Sequence, residues 1–140
     1  MLPIQLSYAL HALTARMDAS ADSILRSSLR LPYASFLVLF AIDVLGDPTQ
    51  RALAVWVNIS EASLSRRLPG LAEAGWLEVR TEPGRGHRRQ VVLTRSGRAL
   101  VRRGRRLLEQ RFAEVVRAAG VDYEEYAVQT AAVLALLEKP

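Results

Sequence analysis

Two short helices separated by a tight turn constrain the fold of this chain more than any other feature of its sequence. The side chain of Thr49 can cap a helix over Gln50–Val57, and Asn58 can adopt the left-handed conformation that ends this helix. Ser60 provides a cap for the next helix, which begins at Glu61. Two short helices joined in this way form a helix-turn-helix motif.

A β-hairpin is predicted after the second of these helices. The segments Leu77–Thr81 and Gln90–Leu93 have the composition of strands, and they flank the turn sequence Pro-Gly-Arg-Gly at residues 83–86. A helix-turn-helix followed by a hairpin is the order of a winged helix. In that architecture the second helix fits the major groove of DNA, and the hairpin contacts the flanking backbone or the minor groove.

Positive charge is concentrated on the same part of the chain. Residues 51–111 contain 14 Arg and 5 acidic residues, a net charge of +9, whereas the whole chain carries +5, so the remaining residues sum to −4. Charge this unevenly distributed indicates a polyanionic partner that meets one surface. Almost all of the basic residues are Arg, whose guanidinium groups suit bidentate contacts with phosphate.

Helical periodicity predicts long helices on both sides of this central part. One helix covers residue 4 to about residue 28, and a second runs from Pro32 to Gly46. The second helix is apolar on most faces, which indicates burial at the centre of the fold. Thr94 can cap a fifth helix, and Asp122 with Glu125 can form the capping box of a sixth, which ends near Glu138.

The composition argues against several functions. The chain has no Cys and only two His, His11 and His87, so neither a metal site nor a cofactor is expected. Its longest apolar run, Phe36–Ile42, is far shorter than the roughly 20 residues of a membrane span, and no signal peptide is recognisable. A cytoplasmic protein is therefore expected. No catalytic or nucleotide-binding motif occurs, so the chain is not expected to be an enzyme.

Five short segments occur in a characteristic order: Leu31-Pro32, then Thr-Gln-Arg-Ala-Leu-Ala at 49–54, the helix from Ser60 to Arg66, Leu71 with Gly75-Trp76-Leu77, and Leu93-Thr94-Arg95-Ser96-Gly97. Their order and spacing resemble the MarR family of bacterial transcription regulators over nearly the whole chain. The resemblance implies a mainly α fold with a small β-hairpin wing, in a single domain over residues 1–140. The winged helix part would cover about residues 32–94, and the dimerisation helices about 3–30 and 95–138.

The resemblance also implies a function. A homodimer would place two winged helices on a pseudo-palindromic operator in double-stranded DNA. A small aromatic or lipophilic effector would bind between the dimerisation and DNA-binding regions and release the DNA, as expected of a repressor. A winged-helix module that binds another protein without reading DNA is the alternative.

The residues expected to contact DNA lie on the polar face of the fourth helix and around it. Leu64, Leu68 and Leu71 mark the inward face of that helix, which leaves its polar residues outside. An ordinary solvated polar face would have the same pattern. The predicted contacts are Thr49, Arg51, Ser60, Glu61, Ala62, Ser63, Ser65, Arg66, Arg67 and Arg95, together with four residues of the wing, Arg85, His87, Arg88 and Arg89.

Two features of the fourth helix and one of the wing depart from the family pattern. Arg67 stands where an apolar residue is usual, and Pro69 lies inside the fourth helix, where we expect a kink or an early end. Family members often have an Asp-x-Arg pattern in the wing, with the Asp bracing an Arg that enters the minor groove. That Asp is missing, so either Glu82 or no residue braces the predicted tip residue, Arg85. A solvated run of charge is the alternative for the wing.

An effector pocket is predicted between the first two helices and the fifth. Its candidate residues are aromatic, apolar or imidazole side chains: Tyr8, His11, Met17, Tyr33 and Phe36. For His11 a purely structural role is the alternative.

Overall fold

The computed structural model describes residues 5–81, 84 and 88–138, which form six helices and one two-stranded sheet. The predicted mainly α fold with a β-hairpin wing is confirmed. In chain order the elements are α1 (Leu6–Leu29), α2 (Tyr33–Leu45), α3 (Gln50–Val57), α4 (Glu61–Glu73), β1 (Leu77–Thr81), β2 (Arg89–Leu93), α5 (Arg95–Ala118) and α6 (Tyr123–Leu137).

Local capping explains where α3 begins and ends and where α4 begins. The N–H of Ala52 donates to Thr49 Oγ1 at 3.2 Å, and the N–H of Ser63 donates to Ser60 Oγ at 3.0 Å. Asn58 ends α3 with a φ of 58°, in the left-handed region. The predicted caps of the helix-turn-helix are therefore confirmed.

The turn between α1 and α2 is held by a carboxylate of α1. Pro32 is the N-cap of α2, one position before the first turn in which it was predicted to lie. Asp22 Oδ1 accepts a hydrogen bond of 2.9 Å from the N–H of Tyr33, and Asp22 Oδ2 accepts one of 2.6 Å from Arg26 Nε. The bond from the Tyr33 N–H, followed by that from Arg26, lowers the pKa of the Asp22 carboxyl. Asp22 thus supplies a cap that α2 lacks in its own sequence.

Helix α2 forms the apolar centre predicted from its composition. Phe36, Val38, Leu39, Ala41 and Ile42 are buried. No single described helix is long and apolar enough to cross a membrane, and α1 and α2 meet such a criterion only when joined across their 88° bend.

The hairpin is antiparallel, with Leu77 opposite Leu93 and Thr81 opposite Arg89. Strand β2 begins at Arg89, one residue earlier than predicted. Of the predicted turn at 83–86 the structure describes Gly84, whose φ of 84° is one that glycine adopts without strain.

The loop before α3 adds to β2 as a third extended segment, which the sequence did not predict. The N–H of Val91 donates to the carbonyl of Pro48 at 2.9 Å, and Thr49 forms an isolated bridge with Gln90. Gln90 Nε2 also donates to the Asp47 carbonyl at 3.0 Å. These bonds connect the start of α3 to the wing.

Helix α4 continues through Pro69 to Glu73, so it does not end early there, and the other expected outcome, a kink at Pro69, stays a prediction. Proline cannot donate to the carbonyl of Ser65, and an interior proline costs about 3 kcal/mol. Pro69 and Ser65 are exposed, so water can hydrate that carbonyl. Leu68 and Leu71 are buried on either side of the proline. Burial stabilises such side chains by about 1.5–3 kcal/mol each, which is enough to keep the last turn folded.

The chain forms two compact units, Met1–Arg105 and Arg106–Pro140. Every described element of the first unit contributes to its core, including the first half of α5. Its largest fully buried side chains are Leu25, Val38, Leu39, Ile42, Leu53, Leu64, Leu77, Val91 and Val101. The predicted inward face of α4 is part of this core, since Leu64, Leu68 and Leu71 are all buried.

The start of α5 is fastened to the turn that precedes β1. Thr94 Oγ1 accepts from the N–H of Gly97 at 3.1 Å, which is the predicted cap, and it donates to the Gly75 carbonyl at 2.6 Å. Ser96 Oγ donates to the same carbonyl at 2.9 Å. A Cβ on Gly97 would overlap the carbonyl oxygen of Trp76, so only glycine permits this approach.

The second unit consists of the end of α5 and α6. Asp122 Oδ1 accepts from the N–H of Glu125 at 2.8 Å and caps α6 as predicted. Although α6 is rich in apolar residues, none of them is buried. Its exposed large apolar side chains are Val128, Val133, Leu134, Leu136 and Leu137.

Candidate nucleic-acid interface

A cleft of about 520 Å³ opens between the start of α3, the start of α4 and the base of the wing. We call it the basic cleft, because three of its eight lining residues are Arg and one is acidic. Its lining residues are Thr49, Gln50, Arg51, Glu61, Ala62, Ser65, Arg88 and Arg89. Seven of these eight were predicted from the sequence as DNA contacts, and Gln50 was not.

The three arginines of the basic cleft are exposed. Arg51 comes from the first turn of α3, Arg89 is the first residue of β2, and Arg88 immediately precedes that strand. None of the three forms an ion pair with a carboxylate in the part of the chain that the structure describes. Like charges gathered in one cleft repel one another, and an anion placed between them relieves that repulsion.

Gln50 joins the two helices of the motif. Its Nε2 donates a hydrogen bond to Ser65 Oγ on α4. Gln50 is half-buried, whereas Ser65 and the hydrogen bond itself are exposed, so this contact lies at the surface of the cleft. The partners are 15 residues apart, and their pairing depends on the angle between two helices. No local sequence signal reports that angle, which explains why the sequence did not reveal this residue.

A hydrogen-bonded chain runs along the first turns of α4. Ser60 Oγ donates to Ser63 Oγ at 3.0 Å, and Arg66 Nη2 donates to the same Ser63 oxygen at 3.2 Å. A guanidinium carries five N–H donors, so this contact orients Arg66 and leaves other donors for a partner. Ser60, Ser63 and Arg66 were all predicted as contacts, and the structure places them together.

The remaining predicted contacts of the described residues are also at the surface. Ala62 and Arg67 are exposed on α4, and Arg95 is exposed at the first position of α5. Arg67 therefore lies outside the core, although the neighbouring Leu68 and the nearby Leu64 are buried. Whether any of these residues touches DNA stays a prediction.

The tip of the wing is only partly described. The predicted contacts Arg85 and His87, and the proposed brace Glu82, lie outside the described residues. In the adjoining strand Arg80 Nη2 is 3.2 Å from Glu78 Oε2, and both side chains are exposed. An exposed pair of this kind adds little to stability. It places one cation and one acid on the outer surface of β1.

The residues predicted to form an effector pocket are spread over α1 and α2. Tyr8, His11 and Met17 are exposed on α1, and Tyr8 is 72% exposed. Tyr33 is half-buried, and burial together with the neighbouring Asp18 raises its pKa. Phe36 is buried, and a Cβ on Gly104 of α5 would overlap its ring. An effector pocket at these residues stays a prediction.

One of the two histidines, His11, is among the described residues. His11 lies on the exposed surface of α1, and His87 is outside the described residues. Within the described ranges, no group of three or more His, Cys, Asp or Glu side chains could hold a metal ion.

Comparison with solved structures identifies the fold. Wild-type MarR from E. coli in its apo form is 24% identical, with a TM-score of 0.79 over 96% of this chain and 98% of MarR. A MarR mutant from E. coli complexed with operator DNA has a TM-score of 0.75 at 24% identity, over 96% and 94% of the two chains. A transcriptional regulator named PA3341 is 26% identical, with a TM-score of 0.76 over 95% of this chain and 96% of its own. The chain has the winged helix fold of the MarR proteins, and the resemblance predicted from the sequence is confirmed in its fold.

Sequence comparison adds a shorter match. The HTH-type transcriptional regulator SgrR of Yersinia pestis is 42% identical over 65 residues, which are 46% of this chain. The match spans only 12% of the length of SgrR, so it concerns one part of a much longer protein. No family model matches the chain.

Proposed function

We propose that this protein is a sequence-specific DNA-binding transcription regulator, with α4 as its recognition helix. The observation that carries the proposal is the basic cleft beside α4, in which Arg51, Arg88 and Arg89 are exposed without a described acidic partner. Phosphate contacts from such cations supply much of the affinity of DNA-binding proteins. Polar side chains at the start of a recognition helix supply the contacts to base edges.

The comparisons support this proposal. One MarR structure of the same fold contains operator DNA, and PA3341 and SgrR are described as transcriptional regulators. A DNA-binding regulator in a bacterial cell acts in the cytoplasm, where we expect this protein.

We propose a homodimer as the DNA-binding form. Helix α6 has no buried residue although most of its side chains are apolar, and Leu6, Tyr8 and Leu10 of α1 are also exposed. An exposed apolar helix face of this kind marks an interaction site in soluble proteins. Two copies of one winged helix would contact two half-sites of a pseudo-palindromic operator.

We further propose that the protein is a repressor that a small aromatic or lipophilic effector releases from DNA. The candidate pocket residues remain Tyr8, His11, Met17, Tyr33 and Phe36. Binding there would release DNA only if the effector binds the DNA-free conformation more tightly. Titration of the purified protein with small aromatic and lipophilic compounds, followed by tyrosine and tryptophan fluorescence, tests for such a site.

Selection of bound fragments from random DNA, followed by affinity measurements at several salt concentrations, tests DNA binding. We expect a recurring motif and a steep decrease in affinity with salt. Arg51→Ala or Arg88→Ala should reduce the slope of log affinity against log salt by about 1 and weaken all sequences alike. Arg16→Ala is the matched control, because it removes an equal charge from an exposed position of α1. A salt-independent affinity, or recovery of random sequences only, would contradict the proposal.

A protein-interaction module that does not read DNA was the alternative from the sequence. Pro69 and the missing wing Asp favoured it slightly, Pro69 because a broken recognition helix would not fit a groove, and the density of Arg opposed it. Helix α4 is continuous through Pro69, so the support from Pro69 is lost, while the missing Asp still favours the alternative. Unchanged affinity for the selected motif in Arg66→Ala and in Arg85→Ala would restore the alternative.

A further inference from the structure

The basic cleft contains one residue whose charge opposes phosphate binding. Among the described residues that line it, Glu61 is the only acid, and it shares the cleft with Arg51, Arg88 and Arg89. Glu61 is the first residue of α4 and is exposed. A carboxylate in this position repels the DNA backbone, so it weakens non-specific binding unless it makes a contact that only some sequences offer.

Neighbouring side chains limit what the start of α4 can recognise. Ser63 Oγ already accepts hydrogen bonds from Ser60 and Arg66, and Ser65 Oγ already accepts one from Gln50. A hydroxyl oxygen accepts at most two hydrogen bonds, so Ser63 retains only its O–H donor. Arg66 has donors alone. Glu61, in contrast, offers only acceptors when ionised.

The major groove presents few groups that can donate to such a carboxylate. These are the amino groups of cytosine and adenine, N4 and N6. On adenine the acceptor N7 lies beside N6 and repels a carboxylate, whereas cytosine has no acceptor of its own on that edge. The chemistry of Glu61 therefore suits cytosine better than any other base.

We propose that Glu61 determines specificity by accepting a hydrogen bond from the amino group of a cytosine in the major groove. This inference rests on the proposed function, and it adds to that function one base pair in each half-site at which C·G is required. Glu61 thereby favours its cognate sequence and disfavours others, since elsewhere its charge remains unpaired against DNA.

The test is a change of preference rather than a loss of affinity. The wild-type motif is first determined by selection, and affinities are then measured for sites with each of the four base pairs at every position. We expect Glu61→Gln to shift the preference at one position from C·G to A·T, because a glutamine amide pairs with adenine N6 and N7. The ratio of the two affinities should change by about tenfold or more. Glu61→Ala should abolish the preference at that position.

Glu73→Gln is the matched control, since Glu73 is exposed at the opposite end of the same helix and does not line the basic cleft. Glu73→Gln removes the same charge and should leave the ratios of affinity between base pairs unchanged at every position. The ratios are also insensitive to a loss of helix stability in Glu61→Gln, because such a loss weakens all sites equally. Circular dichroism checks that each variant is folded.

The outcomes separate the two levels of the proposal. If the wild-type protein selects no motif, the proposed function itself fails. If it selects a motif and Glu61→Gln changes no base-pair ratio, the role of Glu61 is refuted while the proposed function stands. A uniform rise in affinity for all sequences would likewise refute it, since the carboxylate would then act through its charge alone.

Discussion

Only glycine fits at position 97, because the backbone of Trp76 faces it. The first turn of α5 lies directly on the carbonyl of Trp76, and Thr94 and Ser96 hold the adjoining Gly75 carbonyl by hydrogen bonds of 2.6 and 2.9 Å. A main-chain atom cannot rotate aside as a side chain can. Any Cβ at this position therefore separates α5 from the turn before β1.

We expect Gly97→Ala to lower the free energy of unfolding by about 1–3 kcal/mol, the usual cost of overpacking a closed site. Urea denaturation followed by tryptophan fluorescence measures the change, and Trp76 lies at the site itself. Gly84→Ala provides a comparison, because a Cβ there meets no described atom within 4 Å and only the positive φ of Gly84 opposes it. A Gly97→Ala protein as stable as the wild type would show that α5 does not depend on this approach.

The carboxyl group of Asp22 makes the free energy of unfolding depend on pH. The hydrogen bonds from the Tyr33 N–H and from Arg26 lower its pKa in the folded protein. A carboxyl with a lowered folded-state pKa stabilises the fold fully above its unfolded-state pKa of about 3.9. This contribution disappears as the pH falls through the lower folded-state value.

We therefore expect Asp22→Asn to destabilise the protein at pH 7, with a smaller difference from the wild type at pH 3. Denaturant unfolding at the two pH values measures both differences. Glu73→Gln, at an exposed carboxylate without a hydrogen bond from a described group, should have little effect at either pH. Equal destabilisation by Asp22→Asn at pH 7 and pH 3 would argue against the proposed role of its charge.

Single residues were most predictable where their partners are near in sequence. Thr49, Ser60 and Asp122 bond N–H groups three residues ahead, so the sequence identified all three caps. Gln50 and Asp22 act on groups 15 and 11 residues away. Their roles depend on how two helices pack, which the local sequence does not encode.

At the scale of elements, α4 shows burial overriding propensity. Pro69 and Gly70 disfavour a helix, yet Leu68 and Leu71 anchor the turn that contains them. The sequence predicted the start of α4 and its inward face correctly. It did not establish where the helix ends, because the stabilising contacts there are tertiary.

A substitution at Gly70 measures how much the low helix propensity of this turn costs in stability. It has a helical position in α4, and a Cβ there would meet no described atom within 4 Å. We expect Gly70→Ala to raise the free energy of unfolding by about 0.5–1 kcal/mol, because alanine loses less backbone entropy in a helix. Thermal and urea unfolding measure the gain. A loss of stability would indicate that this turn needs the freedom of glycine.

The hairpin was predicted to within one residue, but its third segment was not. Strand composition and the turn sequence are local signals, whereas the contact between Gln90 and Asp47 joins residues 43 positions apart. Most of the basic cleft was nevertheless predictable. Its charged residues are exposed, and they follow directly from the helix-turn-helix pattern and the clustering of Arg.

At the scale of the whole molecule, the apolar surface of α6 has the largest consequence. A short helix with no buried side chain gains little from its own hydrogen bonds in water. Two of its apolar side chains, Val128 and Leu134, are 69% and 51% exposed, respectively. We infer that association with a second copy buries them.

We expect Val128→Glu with Leu134→Glu to convert a wild-type dimer to a monomer at micromolar concentration, because the change places two unpaired charges in an apolar interface. Light scattering coupled to size-exclusion chromatography measures the mass. Val55→Glu is the control, because Val55 is an exposed apolar residue on α3. A monomeric wild-type protein, or a dimeric double variant, would contradict the inferred role of α6.

The main-chain connection of Pro48 and Thr49 to β2 ties two walls of the basic cleft together. Arg51 lies two residues after Thr49 on one wall, and Arg89 lies in β2 on the other. The distance between these walls is thus set by peptide groups, which every substitution short of proline preserves. Evolution can replace the side chains on either wall, and with them the sequence that is read, while the width of the gap stays constant.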